Sequence, residues 1–142
     1  VETDEEIIEH WELLRNLQDK TGGFRAFIMW SFQGANTQLK AEFPDIKPQS
    51  SNRYLRLLAV SRLYLDNFKN MQSSWVTQGS YIGQLALKFG ANDLGSTMME
   101  ENVVKAAGAE NRMNKEEMIR LIKDIGENPA KRNTAYEILE RF

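Results

Sequence analysis

Few residues of this chain could do chemistry unaided. Histidine occurs once, as His10, and cysteine does not occur. A multi-histidine metal site, a thiol nucleophile, a disulfide and an iron–sulfur cluster held by this chain's own thiolates are therefore excluded. A Ser-His-Asp arrangement would have to use His10, which sits beside Trp11 at the edge of an apolar helix face and reads as a boundary residue. Two carboxylate pairs stand out, Glu100-Glu101 and Glu116-Glu117. The second belongs to a helix cap. The first follows a candidate strand end and is open to a functional role. Gly90-Ala91-Asn92-Asp93-Leu94-Gly95-Ser96-Thr97 combines small residues, two polar side chains and two hydroxyls. Glycine lets backbone approach a ligand closely, but Asn and Asp equally serve a tight turn, so both readings stand. Phe24, Phe27, Trp30 and Phe32 read as core, and Arg53, Arg56 and Arg62 as the solvated edge of a helix.

The elements that must position these residues follow from spacing. Thr3 to Glu6 is a T-x-x-E capping box. Ile7, Ile8, Trp11, Leu14 and Leu17 then recur at helical intervals, and Gly22-Gly23 ends that helix. Phe24 to Phe32 is short and apolar on both parities after Arg25, as in a parallel strand buried on both faces. Gln33 to Ser51 reads as a loop of about 18 residues, a length that is often functional. Arg53 to Asp66 is a second helix, Asn70 to Ser74 a second strand and Ser80 to Phe89 a third helix closed by Gly90. Asp93 to Thr97 is a candidate third strand and Val103 to Ala107 a helical turn. Asn114 to Glu117 forms another capping box for a helix that Gly126 stops. Thr134 to Glu137 reads as a third box that opens a final short helix. Strands alternating with helices imply βα units and a parallel sheet. Three short strands cannot close a barrel, so the expected fold class is α/β, an arc of a barrel, with no internal domain boundary.

Composition narrows the partners. The chain has 142 residues, of which 27 % are charged and 42 % hydrophobic, with a formal net charge of -2. No basic face of the kind that binds nucleic acid is expected. No apolar run reaches the roughly 20 residues that span a bilayer. Val1-Glu2-Thr3-Asp4-Glu5-Glu6 is acidic where a signal peptide is basic, so a cytoplasmic location is expected. The start on Val1 inside a helix cap, with six methionines and three tryptophans beside so few strands, leads us to expect a piece of something larger.

The segment GANDLGSTMMEENVVKAAG at 90–108 resembles the late-barrel part of a radical S-adenosylmethionine subfamily. Its members act in menaquinone formation by the futalosine route or make the deazaflavin cofactor. Gly126, Pro129, Arg132, Thr134 and Tyr136 resemble that group's C-terminal G-x-x-P-x-x-R-x-T-x-Y signature. FIMWSFQGANTQL and RYLRLLAVSRLYLDNFKNMQSSWVTQG are similar to the branch that cyclises dehypoxanthine futalosine. The sister branches are the aminofutalosine and deazaflavin-forming synthases. The family's chains are more than twice this length, and their Cys-x3-Cys-x2-Cys loop has no match here. The resemblance makes this chain the C-terminal part of a (β/α)8 TIM-type barrel, about three βα units plus terminal helices, supplying strands six to eight.

The resemblance also implies a [4Fe–4S] cluster and S-adenosylmethionine in the full-length enzyme, neither held by this chain alone, and an electron donor such as flavodoxin or ferredoxin. A 5′-deoxyadenosyl radical takes a hydrogen from the ribose part of dehypoxanthine futalosine, and the carbon radical attacks the substrate's aromatic ring. Barrel enzymes place their sites at the C-terminal ends of the strands. In the superfamily that the chain resembles, the region after strand six approaches the adenine of S-adenosylmethionine, so the resemblance implies Gln33 and Ser31 for the cofactor side. The strand-end criterion assigns Asn36, Thr37, Gln72, Ser74, Trp75, Asn92, Asp93, Ser96, Thr97 and Glu100 to the substrate's hydroxyls and carboxylate, although Asn92 and Asp93 begin their strand and a structural role is open for them. Exposed sheet edges are expected to promote self-association. A non-catalytic α/β half-barrel module is the reading of a different class.

Overall fold

The computed structural model describes residues 2–97 and 111–142. Helix α1 spans Asp4–Thr21. Thr3 caps it: its hydroxyl accepts from the Glu6 amide, and the Glu6 carboxylate accepts from the Thr3 amide at 2.8 Å. These hydrogen bonds, led by that from the Thr3 amide, hold the Glu6 carboxyl below its ordinary pKa. Gly22 closes the helix in the left-handed region at φ 57°, a conformation that glycine adopts without steric cost.

Two strands follow the expected order but are far shorter than the apolar runs that contain them. β1 is Phe27–Ile28 and β2 is Met71–Gln72. They pair in parallel, Phe27 with Met71 and Ile28 with Gln72. The expected strand from Asp93 to Thr97 contributes one parallel bridge, Gln72 to Asp93. Between β1 and β2 lie α2, Gln38–Glu42, and α3, Ser51–Tyr64, capped by Ser50. After β2 come α4, Trp75–Gln78, and α5, Ser80–Ala86. α6 spans Lys115–Asp124 and is capped by Asn114, whose side chain accepts from the Glu117 amide. The turn expected over Val103–Ala107 lies outside the described residues.

The end of the chain overturns its expectation. Thr134 to Glu137 does not start a helix. β3, Ala130–Arg132, and β4, Ile138–Arg141, pair antiparallel instead. Asn133 explains the difference. Its side-chain oxygen accepts from the amides of Ala135 and Glu137 at 2.9 and 3.0 Å, and its amide donates to the Glu137 carbonyl. This side-chain-to-backbone turn competes with helix formation. Tyr136 then takes φ 66°, which no right-handed helix accommodates.

The core has three clusters. Tyr54, Leu55 and Leu58 of α3 pack on Ala86 and Ala91. Trp11 packs with Leu65, Phe68 and Met71, so β2 is wedged against α1. Trp75 packs with Met113 and Leu121, binding α4 to α6. Polar contacts cross this interior as well. The Ser74 amide donates to the Tyr54 hydroxyl at 2.9 Å, with both residues buried, and burial pushes the Tyr54 phenol above its ordinary pKa. Tyr54→Phe removes the acceptor and leaves the Ser74 N–H orphaned. An unsatisfied buried donor costs about 1–3 kcal/mol, so denaturant unfolding of this variant should show a loss of that size. An unchanged midpoint would show that the hydrogen bond is not needed.

Candidate functional site

Parallel pairing gives the sheet two chemically different ends, and each opens into a cleft. Beyond the C-terminal ends of β1 and β2 is a cleft of about 520 Å³ whose lining includes Ser31, Gln33, Ser50 and Thr77. Its polar groups are tied to one another. Buried Ser31 accepts on Oγ from Gln78 Nε2 at 2.7 Å, and Gln33 Nε2 donates to the Ser31 carbonyl at 3.1 Å. The first of these bonds ties the chain just past β1 to the last residue of α4. Gly34 follows, and Thr37 caps α2, its hydroxyl accepting from the Lys40 amide and donating to the Gly34 carbonyl at 3.0 Å. Asn36 is exposed between them.

Past β2, Ser73 donates on Oγ to the Gly83 carbonyl, and Ser74 Oγ meets Thr77 Oγ1 at 2.6 Å. Gln72 lies directly under Gly95. Gly95 has φ 79°, a conformation that favours glycine, and a Cβ there would push aside the flexible end of the Gln72 side chain. Ser96 and Thr97 follow, exposed, beyond the bridge at Asp93. Glu100 lies outside the described residues. Trp75 does not face the cleft: as the first residue of α4 it is 1 % exposed in the core with Met113 and Leu121.

The other end of the sheet holds a cleft of about 420 Å³ lined by Asn70, Asn92, Asp93, Arg132 and Tyr136 among others. Here Asn92 and Asp93 serve structure. Asn92 Oδ1 accepts from the Met71 amide at 2.8 Å and its Nδ2 donates to the Lys69 carbonyl, so one side chain fastens the third strand position to β2. Asp93 accepts from Arg132 Nε and Nη2 at 3.1 and 2.5 Å and from the Tyr136 hydroxyl at 3.0 Å. The Arg132 guanidinium lies 3.9 Å from the centre of the Tyr136 ring. Sequence spacing placed Arg132 and Tyr136 in one signature but could not pair them with a carboxylate some forty residues earlier. It also missed Lys47, Arg53 and Thr77, all of which line the first cleft. Arg53 reads as a solvated edge only while the chain that faces it is unknown.

With the geometry in hand, comparison with known proteins is decisive about family. The family model described as "CofH/MqnC C-terminal region" matches residues 21–142. The chain belongs to that family. It is 49 % identical over 138 residues to cyclic dehypoxanthine futalosine synthase of Streptomyces coelicolor, covering 97 % of this chain and 34 % of that protein. It is 46 % identical over 141 residues to the protein of the same name from Halalkalibacterium halodurans, covering 99 % and 37 %. A 5-amino-6-(D-ribitylamino)uracil--L-tyrosine 4-hydroxyphenyl transferase of Methanosphaerula palustris is 40 % identical over 139 residues, covering 96 % and 38 %. The chain thus spans little more than a third of the length of the curated relatives it matches. Its G-x-x-P-x-x-R-x-T-x-Y signature falls within the matched region, at the hairpin that clamps Asp93. Among the described residues no group of three or more His, Cys, Asp or Glu could hold a metal ion, and with no cysteine this chain has no thiolate for an iron–sulfur cluster. No helix among the described residues is long and apolar enough to cross a membrane.

Tyr136 provides a direct measure of the clamp. Burial first, then the Asp93 charge and its hydrogen bond, push the phenol up to about 12. The folded state favours the neutral form, so its contribution to stability is complete below about 10, the ordinary tyrosine value. That contribution is lost as pH rises through about 12. Subtracting the ultraviolet titration of Tyr136→Phe from that of the parent should therefore leave a tyrosinate step centred near 12. Asp93→Asn should lower that step. A step near 10 in the parent would mean that the phenol does not meet the carboxylate.

Proposed function

We propose that this chain is the C-terminal part of a radical S-adenosylmethionine enzyme that cyclises dehypoxanthine futalosine in menaquinone formation by the futalosine route. The observation that carries this reading is the 49 % and 46 % identity, over nearly all of the chain, to two proteins named for that reaction, against 40 % for the transferase. In this reading β1, β2 and the bridge at Asp93 are strands six, seven and eight of a TIM-type barrel, and the 520 Å³ cleft opens on the barrel's mouth. The cluster's thiolates come from chain outside these 142 residues.

When bound, the cluster and S-adenosylmethionine supply the hydrogen-abstracting radical, with an electron donor such as flavodoxin or ferredoxin. The protein's part is to bind, orient and exclude water. Ser31 and Gln33 face the cofactor side, held by the Gln78 and carbonyl hydrogen bonds described above. Asn36, Thr37, Gln72, Ser74, Ser96, Thr97 and Glu100 address the substrate's hydroxyls. Asn92, Asp93 and Trp75 leave this set, because their polar groups or ring are engaged in the clamp and the core.

The test uses the full-length protein with its cluster rebuilt anaerobically. Given reductant and S-adenosylmethionine, it should convert dehypoxanthine futalosine to the cyclic product and release 5′-deoxyadenosine. A product joining L-tyrosine to 5-amino-6-(D-ribitylamino)uracil would assign the protein to the sister branch instead. The 142-residue chain by itself should give neither cluster absorbance nor 5′-deoxyadenosine. Glu100→Gln in the full-length protein should lower turnover on the order of 10- to 100-fold through a lost hydrogen bond to charge. Glu116→Gln, in the first turn of α6, should leave turnover nearly intact. Equal behaviour of the two variants would remove Glu100 from the site.

A further inference from the structure

The cleft beyond β1 carries two cations that the reading above leaves unused. Lys47 and Arg53 both line it, and Glu2 is the one carboxylate among its lining residues, so the local balance is positive. Arg53 hydrogen-bonds Asp4 at 2.7 Å, but the two side chains are 43 % and 64 % exposed. Such a pair contributes little and yields readily to a better-placed anion. Lys47 lies within ion-pair distance of no carboxylate among the described residues. The same cleft contains Trp30 and Phe32. Trp30 is 54 % exposed, two residues past the half-buried β1. Aromatic rings beside Lys47 and the weakly paired Arg53 in one concave space suit a flat anion. The rings take its faces, and the cations take its carboxylate through charge-assisted hydrogen bonds.

The geometry points to Lys47 and Arg53 as the residues that hold the aromatic carboxylate of the substrate, with Trp30 against its ring; this rests on the function proposed above. It makes these two cations specificity determinants, because a substrate lacking the negative charge offers Lys47 no partner and Arg53 none better than Asp4. Arg53 is suited to bidentate pairing and Lys47 to a point-charge contact.

The experiment compares dehypoxanthine futalosine with its carboxylate methyl ester in the full-length, cluster-loaded protein. Binding is read by calorimetry and turnover by product analysis. The parent should bind the acid more tightly than the ester. The double variant Arg53→Gln with Lys47→Gln should lose on the order of 10- to 100-fold in kcat/KM for the acid, mostly through KM, and little for the ester. Asp4→Asn, which frees Arg53, should bind the acid at least as well as the parent. If Arg53 acts only by fastening α1 to α3, Asp4→Asn will weaken acid and ester alike, and the proposal falls. Product formation with equal losses for acid and ester overturns the carboxylate contact and leaves the function standing. Acid-selective binding without cyclic product overturns the function and leaves the contact. Failure of the parent to bind either compound overturns both.

Discussion

Asp93 joins three parts of the molecule that share no local sequence. Its carbonyl accepts from the Ser73 amide at 2.8 Å, setting the third strand position beside β2. Its carboxylate takes Arg132 through two nitrogens and Tyr136 through the hydroxyl. The pair is mostly shielded, with side chains 22 % and 11 % exposed. Shielding makes its loss costly, because removing either partner strands a charge away from water. This matters because the sheet itself supplies little. With strands two residues long, ladder hydrogen bonds cannot set the register, and side chains do it instead. Asn92 fastens to Met71 and Lys69, Asn70 donates to the Arg25 carbonyl, and Tyr54 accepts from Ser74.

The longer helices α1, α3 and α6 were legible because their signals are local, whereas the short α2 lies in the stretch that reads as a loop and α4 carries no such signal. Thr3 with Glu6, Asn114 with Glu117, and Gly22 each act within four residues, and each cap is where the spacing predicts it. The parallel order of β1 and β2 was legible as well, since apolar runs alternating with helices admit few other arrangements. Strand length was not. FRAFIMWSF looks continuous, but only Phe27 and Ile28 pair. Which residues of an apolar run join a ladder depends on where the partner ends, and the partner here is fixed by Asn92, some twenty residues further on.

The final hairpin was misread for a related reason. Thr134 and Glu137 have the spacing of a cap, but Asn133 captures the same amides first. Tyr136 then adopts a left-handed conformation that its contacts with Arg132 and Asp93 hold in place. A local pattern lost to a tertiary one. The candidate site shows the same division. Ser31 and Gln33 could be placed past a strand end from sequence. Lys47 and Arg53 could not be placed in the same cleft, because the chain from Gln33 to Ser50 has to fold over before they share a space.

The two ends of the sheet differ in how much of their hydrogen-bonding capacity is already spent. At the N-terminal end the Asn92 amide uses both its oxygen and its nitrogen on backbone, and Asp93 takes three donors. A carboxylate so occupied has little left to offer a ligand, so that end is a fastening. At the C-terminal end the bonds run among Ser31, Gln33, Ser74, Thr77 and Gln78, and these are hydroxyls and amides that each carry both a donor and an acceptor. They hold one another in position and keep capacity for something else. Rigid support below and spare polar capacity above is the arrangement that a site needs if it must orient a small molecule without rearranging. The clamp at Asp93 therefore acts through position: it fixes the bridge to β2 from which the chain runs on to Ser96 and Thr97.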